Sequence, residues 1–167
     1  CCVMLLGMPA ADAPAVMMAG ERVKAVESMK LLGLHIDHKL QFAGHAQHVL
    51  RKVAKNSGAL YFLSAQRWGV TAESAIAFYK AIVESVVRYA AGTWATRCHK
   101  KHIQPIQVKL NVCLRVCMCL PQRVPLGILH AKAGCLRLEE MAYQSGFMTA
   151  ARARLLNVND LQSRYSA

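Results

Sequence analysis

Residues 29–48 contain the feature that most constrains the fold, a change in the spacing of apolar residues. The first part is apolar around Gly33, over a length that suits one short strand. A polar corner, Asp37-His38-Lys39, follows, and from His45 onward apolar residues recur every three or four positions. That second spacing is typical of an amphipathic helix. The sequence therefore predicts a strand, a corner and a helix in succession.

The first 37 residues are predicted to be β structure. They contain four short apolar runs, at 2–6, 15–19, 22–26 and 29–36. A proline-containing loop and a turn at Gly20 separate the runs, and glycine accepts the backbone angles of a tight turn without steric cost. A small N-terminal antiparallel β element is therefore expected.

The rest of the chain is predicted to be mainly α-helical. Helices are expected at residues 45–65, 72–91, 104–119, 125–133 and 138–156, with a loop at 66–70. Thr71 is a suitable N-cap for the second helix, and Gly92 and Gly134 are suitable stops. Because Pro105 has no backbone N–H, the third helix is expected to begin near Gln104.

The spacing within these helices predicts which faces are buried. The first and third helices each show one apolar face, which is expected to form the core. The second helix is expected to be central and packed on several sides, and Glu84 and Arg88 belong to its narrow polar strip. In the last helix, Met148 and Leu155 are among the residues expected to be buried.

The charge of the chain is strongly positive. There are 21 lysine and arginine residues against 9 aspartate and glutamate residues, a net charge of +12. No acidic residue occurs between Asp37 and Glu73 or between Glu84 and Glu139. Such an excess favours a polyanionic partner, although a basic face can also serve solubility alone. Both interpretations stay open.

Two groups of basic residues are the candidate nucleic-acid-binding sites. The first repeats at helical spacing on one face of the first helix, and we name it the basic stripe: His48, Arg51, Lys52 and Lys55. The second patch consists of Lys100, Lys101 and Lys109. Side chains of this type attract phosphate groups independently of base sequence.

Other classes of site find less support. The seven cysteines are odd in number and fit no disulfide framework. This predicts reduced thiols in an intracellular protein. Whether the protein is in the nucleus or the cytoplasm stays open. Zinc sites are usually built from paired Cys-x-x-Cys motifs, and the sequence contains none. It has only histidine pairs such as His35/His38 and the motif Cys98-His99-x-x-His102, so no metal is expected. No apolar run approaches the ~18–20 residues needed to span a membrane, and no membrane partner is expected.

One segment resembles the passage from palm to thumb in one polymerase family. It consists of residues 31–37, with the sequence LLGLHID, followed by Leu40, Phe42 and His45. That family is the reverse transcriptases of non-LTR (LINE-type) retrotransposons. The chain departs from the family pattern at Leu31, where an aromatic residue is usual.

Two later segments resemble the same family, and the resemblance covers residues 28–156. Residues 78–85, FYKAIVES, with Tyr89 and Trp94, resemble a thumb helix, except that the glycine usually found after the tyrosine is alanine. Residues 124–138 resemble the region after the thumb, with Arg137 in place of a proline.

The resemblance implies an architecture. Residues 1–40 would be the end of the palm, 41–120 a thumb-like helical bundle, 121–157 post-thumb helices, and 158–167 a frayed tail. Five residues of the family pattern are expected to be structural: Gly33, Asp37, His45, Tyr79 and Trp94.

The resemblance also implies a function. The parent would be an RNA-directed DNA polymerase whose aspartates, including an Ala-Asp-Asp hairpin, hold two Mg²⁺ ions. This chain contains neither motif, so no catalytic residue and no cofactor is expected in it. Its start at Cys1 without methionine is consistent with a fragment. The expected partners are a template–primer duplex, gripped without sequence preference, and the rest of the palm.

A second hypothesis belongs to another class. The chain could be a stand-alone helical protein-interaction module derived from a decayed or domesticated element. An upstream reading frame encoding an Ala-Asp-Asp motif would favour the polymerase fragment instead.

Overall fold

The computed structural model describes the backbone of residues 2–65 and 70–165 and the side chains of residues 2–62 and 70–155. Within these ranges the fold is mainly α-helical with a small N-terminal β element, which confirms the predicted fold class. Most of the predicted loop at 66–70 lies outside the described residues, and so does Cys1.

Short strands form the β element. They are β1 (Cys2–Val3), β2 (Val16–Met18), β3 (Glu21–Ala25), β4 (Ser28–Leu31) and β5 (Leu34–Asp37), with a 3-10 turn at Ala10–Asp12. β3 lies between the first two strands, parallel to β1 and antiparallel to β2, so this sheet is mixed. β4 and β5 form a separate antiparallel hairpin.

This hairpin replaces the single strand predicted over residues 29–36. Leu31 pairs with Leu34, which leaves Leu32 and Gly33 as a two-residue turn. The φ angles of these two residues are 46° and 85°, and a type I′ turn requires positive values at both positions. Leucine is rarely found at such a position, so Leu32 itself gave no sign of the turn.

Helices make up the remainder of the described chain. They are α1 (Ala43–Ala65), α2 (Ala72–Tyr79), α3 (Ser85–Arg88), α4 (Ala91–Trp94), α5 (Lys100–Cys117), α6 (Leu126–Ala133) and α7 (Leu138–Tyr165). A π-helical turn at Lys80–Glu84 joins α2 to α3. Thr71 caps α2 as predicted, because its Oγ1 accepts a hydrogen bond from the backbone N–H of Ser74.

The core lies where α1 packs against α5. α2 and α3 pack on α1, α2 also contacts α5, α6 packs on α5, and α7 packs on α3 and α4. The apolar faces predicted for the first and third helices are buried here, including Val49, Val53, Leu60, Ile106, Leu110 and Leu114. This interior buries one face of α1 and leaves the opposite face to solvent.

The π turn changes the side of the helix that Glu84 occupies. Nδ2 of Asn56 in α1 donates a hydrogen bond to the backbone oxygen of Ile82 within this turn, at 2.5 Å. A π turn contains one more residue than an α turn, so later residues are rotated relative to a regular helix. Glu84 is only 4% exposed, so this member of the predicted polar strip is buried. Its Oε1 pairs with the guanidinium of Arg88 at 2.6 Å.

The predicted second helix also ends earlier than residue 91. Ala90 has a φ of 49°, which breaks the helix between α3 and α4. The indole N–H of Trp94 donates to the backbone oxygen of Tyr89 at 3.2 Å, at this break. Gly92 lies inside α4 rather than at a helix stop, whereas Gly134 ends α6 with a φ of 59°, as predicted.

The third long helix begins before its predicted start. α5 begins at Lys100, and the Nδ1 of His99 caps it by accepting from the backbone N–H of Lys101 at 3.2 Å. Pro105 therefore lies inside the helix, where its ring costs one backbone hydrogen bond. Its side chain is exposed, so the ring disturbs the solvent side of the helix and not the core.

The last helix is longer and less buried than predicted. α7 runs to Tyr165, past the expected end at residue 156, and Leu138 and Met141 near its start are buried as predicted. Met148 is 47% exposed and Leu155 is 65% exposed, contrary to prediction. Despite its length, neither α7 nor any other helix in the described ranges is apolar enough to cross a membrane.

Candidate nucleic-acid interface

The basic stripe lies on the solvent face of α1. Arg51, Lys52 and Lys55 are exposed, and His48 is half-buried. Among the described side chains, ion pairing is limited to Arg88 with Glu84, so none of the four stripe residues is neutralised by a carboxylate. The stripe therefore presents uncompensated positive charge on a rigid helix.

The β4–β5 hairpin extends this positive surface. β5 contacts α1, and the ring of His35 lies 4.7 Å from the ring of His48, centre to centre. Lys30, directly opposite His35 in the hairpin, is exposed. Partial burial lowers the pKa of His48, and the nearby positive charges of His35, Lys52, Arg51 and Lys30 lower it further.

Sequence reasoning missed Lys30 and His35 as neighbours of the basic stripe. They lie on strands that precede α1, so helical spacing could not associate them with it. The available signal was Gly33: a two-residue turn at that glycine fixes the register that sets Lys30 opposite His35.

His45 anchors the hairpin to α1. It is 3% exposed, its Nδ1 accepts a hydrogen bond from the backbone N–H of His35 at 3.3 Å, and its ring packs edge-on against Trp94. Burial, together with the charges of His35 and His48, lowers its pKa from 6.5 to about 4. His45 is therefore neutral near neutral pH and holds the structure instead of contacting phosphate.

Asp37 organises the corner before α1. Its two carboxylate oxygens accept hydrogen bonds from the backbone N–H groups of Gln41 and Phe42, at 3.1 and 2.9 Å. Leu40 and Phe42 both have positive φ angles in this corner. Asp37 therefore fixes a tight bend before α1.

No metal centre is found in the part of the chain that the structure describes. No group of three or more histidine, cysteine or acidic side chains there is placed to hold an ion. The rings of His35, His45 and His48 lie near one another, with centres 4.7–6.4 Å apart. Since Nδ1 of neutral His45 accepts a hydrogen bond, its Nε2 carries the proton and cannot also ligate a metal.

The second patch is not gathered into one place. Lys100 and Lys101 are at the start of α5, whereas Lys109 is eight residues along the helix, about 12 Å away. The ammonium group of Lys109 lies over the ring of Tyr61, 5.6 Å from its centre, as in a cation–π contact. These lysines do not form a single surface.

The buried cysteines are unsuited to nucleophilic chemistry. All six cysteines of the described chain are free, and Cys98, Cys113, Cys117 and Cys135 are buried. Burial raises the pKa of Cys117 and of Cys135 to about 11. Because the thiolate is the reactive form, these protonated thiols act as apolar core groups.

Comparison with known proteins identifies no relative: no family model, no curated protein and no solved structure matches the chain.

Proposed function

We propose that this chain is the thumb-bearing part of a non-LTR retrotransposon reverse transcriptase and grips a nucleic-acid duplex by its phosphate backbone. The observation that carries the proposal is the uncompensated basic stripe on α1. The motif resemblance at residues 31–45 and 78–94 supports it and supplies the identity of the parent polymerase.

The dimensions of the basic stripe suit a phosphate backbone. His48 to Lys55 covers about 10 Å along a helix axis. One DNA strand carries a phosphate every ~3.4 Å of duplex axis, so about three phosphates fall within that length. Side chains of Arg51, Lys52 and Lys55 would then meet successive phosphates without reading base edges, and the α1–α5 core would keep their spacing fixed.

The same proposal assigns the rest of the palm as the partner of the β element. Met17, Met18, Leu31 and Leu32 are all more than half exposed there, which is unusual for large apolar side chains on a small sheet. A palm sheet packing against this face would cover them.

The chain itself would bind nucleic acid without polymerising it, because the carboxylates that hold Mg²⁺ in the family are missing. We predict no extension of a primer by the purified chain with Mg²⁺ and deoxynucleotides. Extension above the level of a protein-free reaction would contradict this.

The decisive experiment is the salt dependence of duplex binding, measured by fluorescence anisotropy. Changing Arg51, Lys52 and Lys55 together to Gln should lower the log–log salt slope by roughly two to three, since each phosphate contact contributes ~0.9 for duplex DNA. The matched control changes three exposed residues away from α1, Arg123, Lys132 and Arg152, to Gln. Equal slopes for the stripe variant and the wild type would reject the basic stripe as the gripping surface.

A protein-interaction module is the second candidate, and α7 favours it. Tyr143 and Phe147 are about three-quarters exposed one turn apart, with Met148 and Leu155 further along the same helix. Exposed large apolar side chains of this kind are typical of surfaces that bind protein. Salt-insensitive or absent duplex binding by the wild type would favour this candidate over the polymerase fragment.

A further inference from the structure

A cleft of about 380 Å³ lies where the polypeptide enters α1 and α5. The residues lining it come from the starts of those two helices and from the segment before α5: Gln41, Ala43, Arg97, His99, Lys101 and His102. The buried Cys98 Sγ and the backbone oxygen of Phe42 lie 4.0 Å apart and join the two segments beside it. Its volume lies within the ~300–1,000 Å³ range of small-ligand sites.

The lining of the cleft is cationic. Arg97 and Lys101 bring two positive charges, the two histidines bring imidazole rings, and no carboxylate is among the lining residues. The nearby acid Asp37 has both oxygens engaged by backbone N–H groups of the corner before α1. A cation would find no ligand of opposite charge here, whereas an anion would find several donors.

His99 is one of the residues that line the cleft. Its Nδ1 accepts from the backbone N–H of Lys101, so in the neutral ring the proton is on Nε2. The cap at the start of α5 thus fixes the tautomer of His99 in which Nε2 can donate a hydrogen bond. A neutral His99 can supply an N–H to an anion without being protonated.

The backbone adds to the positive field. α1 has 23 residues and α5 has 18, and neither carries an acidic residue in its first turn. The N-terminal end of a helix bears a partial positive charge that favours a bound anion such as phosphate. Here two such ends meet at one cleft that is already lined by cationic side chains.

We propose that this cleft binds a phosphate group, held by Arg97, Lys101 and the Nε2–H of His99. The phosphate could belong to a nucleic-acid backbone or be inorganic phosphate, and only the first source rests on the proposed function. The assignment replaces the second patch, because it retains Lys101 and has Arg97 and His99 in place of Lys100 and Lys109.

The test is a titration of the ¹⁵N-labelled chain with inorganic phosphate, followed by amide NMR at constant ionic strength. Saturable shifts are expected at the backbone N–H groups of Ala43, Gly44 and Lys101, with none for chloride. The double substitution Arg97→Gln/Lys101→Gln should weaken phosphate binding at least tenfold. Arg97→Lys/Lys101→Arg, which keeps both charges, should largely preserve it.

The control variant Arg123→Gln/Lys132→Gln removes two exposed charges outside the cleft and should bind phosphate as the wild type does. Shifts that do not saturate, or equal weakening in the control, would overturn the proposal. Every substituted residue is exposed and the capping His99 is left unchanged, so all variants are expected to fold. Dispersed amide spectra check this.

A short DNA duplex added to the phosphate-saturated chain separates the two sources. Displacement of phosphate at these amides assigns the cleft to the nucleic-acid backbone. Duplex binding without displacement assigns it to inorganic phosphate. Failure of the duplex to bind would contradict the proposed function, while the saturable phosphate shifts would still support the cleft.

Discussion

Gly92 in α4 and Gly146 in α7 pack backbone against backbone, and the contact is asymmetric. A β-carbon built on Gly92 overlaps the backbone nitrogen and Cα of Gly146. A β-carbon built on Gly146 lies 3.7 Å from the Cα of Gly92, an ordinary van der Waals distance. Only one of the two glycines is therefore required for this close crossing of helices.

This asymmetry predicts opposite effects for the same substitution. Gly92→Ala should destabilise the fold by about 1–3 kcal/mol, because α4 and α7 must separate. Gly146→Ala should be neutral or stabilise by about 0.5–1 kcal/mol, because alanine favours a helix interior. Urea unfolding followed by circular dichroism measures both, and a similar loss in the two variants would contradict the asymmetry.

The turn between β4 and β5 predicts a second pair of effects. Leu32 is 83% exposed with a φ of 46°, so Leu32→Asn should stabilise the fold by about 0.5–1 kcal/mol through the favoured Asn-Gly turn. Gly33→Ala should destabilise it by about 1–2 kcal/mol, since φ there is 85°. Thermal unfolding tests both, and unchanged melting temperatures would argue against the two-residue turn.

His45 predicts a pH dependence of stability. Its pKa is about 4 in the folded chain and 6.5 in the reference state, so the unfolded chain takes up a proton first as pH falls. Its contribution is present above pH 6.5 and is lost between pH 6.5 and 4, amounting to about 3 kcal/mol. His45→Gln should show a flatter stability profile over that range, and parallel profiles for the two proteins would refute the assignment.

Lys30 predicts a contribution to duplex binding from outside α1. If the hairpin extends the basic stripe, Lys30→Gln should lower the log–log salt slope by about 0.9, the value of one phosphate contact. Lys24→Gln, an exposed lysine on β3, is the matched control and should leave the slope unchanged. The same slope change in both variants would indicate a diffuse charge effect and no extension of the stripe.

Local periodicity predicted the features that depend on one helix at a time. Val49, Val53 and Leu60 recur at helical spacing, so the buried side of α1 could be read directly from the sequence. The exposed face bearing Arg51 and Lys55 followed from the same spacing.

Features that depend on contacts between distant residues could not be predicted in this way. The inward position of Glu84 accompanies a π turn whose Ile82 carbonyl is bonded by Asn56, 26 residues earlier in the sequence. The cleft likewise joins Gln41 to Arg97, which only the packing of α1 near α5 brings together. No local pattern encodes either arrangement.

The π turn sets the rotational phase between the two ends of its helix. Each residue of an α-helix turns the chain by about 100°, so deleting one residue from Lys80–Glu84 would rotate everything after it by that angle. The hydroxyl of Tyr89, which donates to the backbone oxygen of Leu32, would then point away from the β4–β5 hairpin. The extra residue of the π turn thus determines the direction in which the end of α3 faces. In this structure that end faces the β4–β5 hairpin.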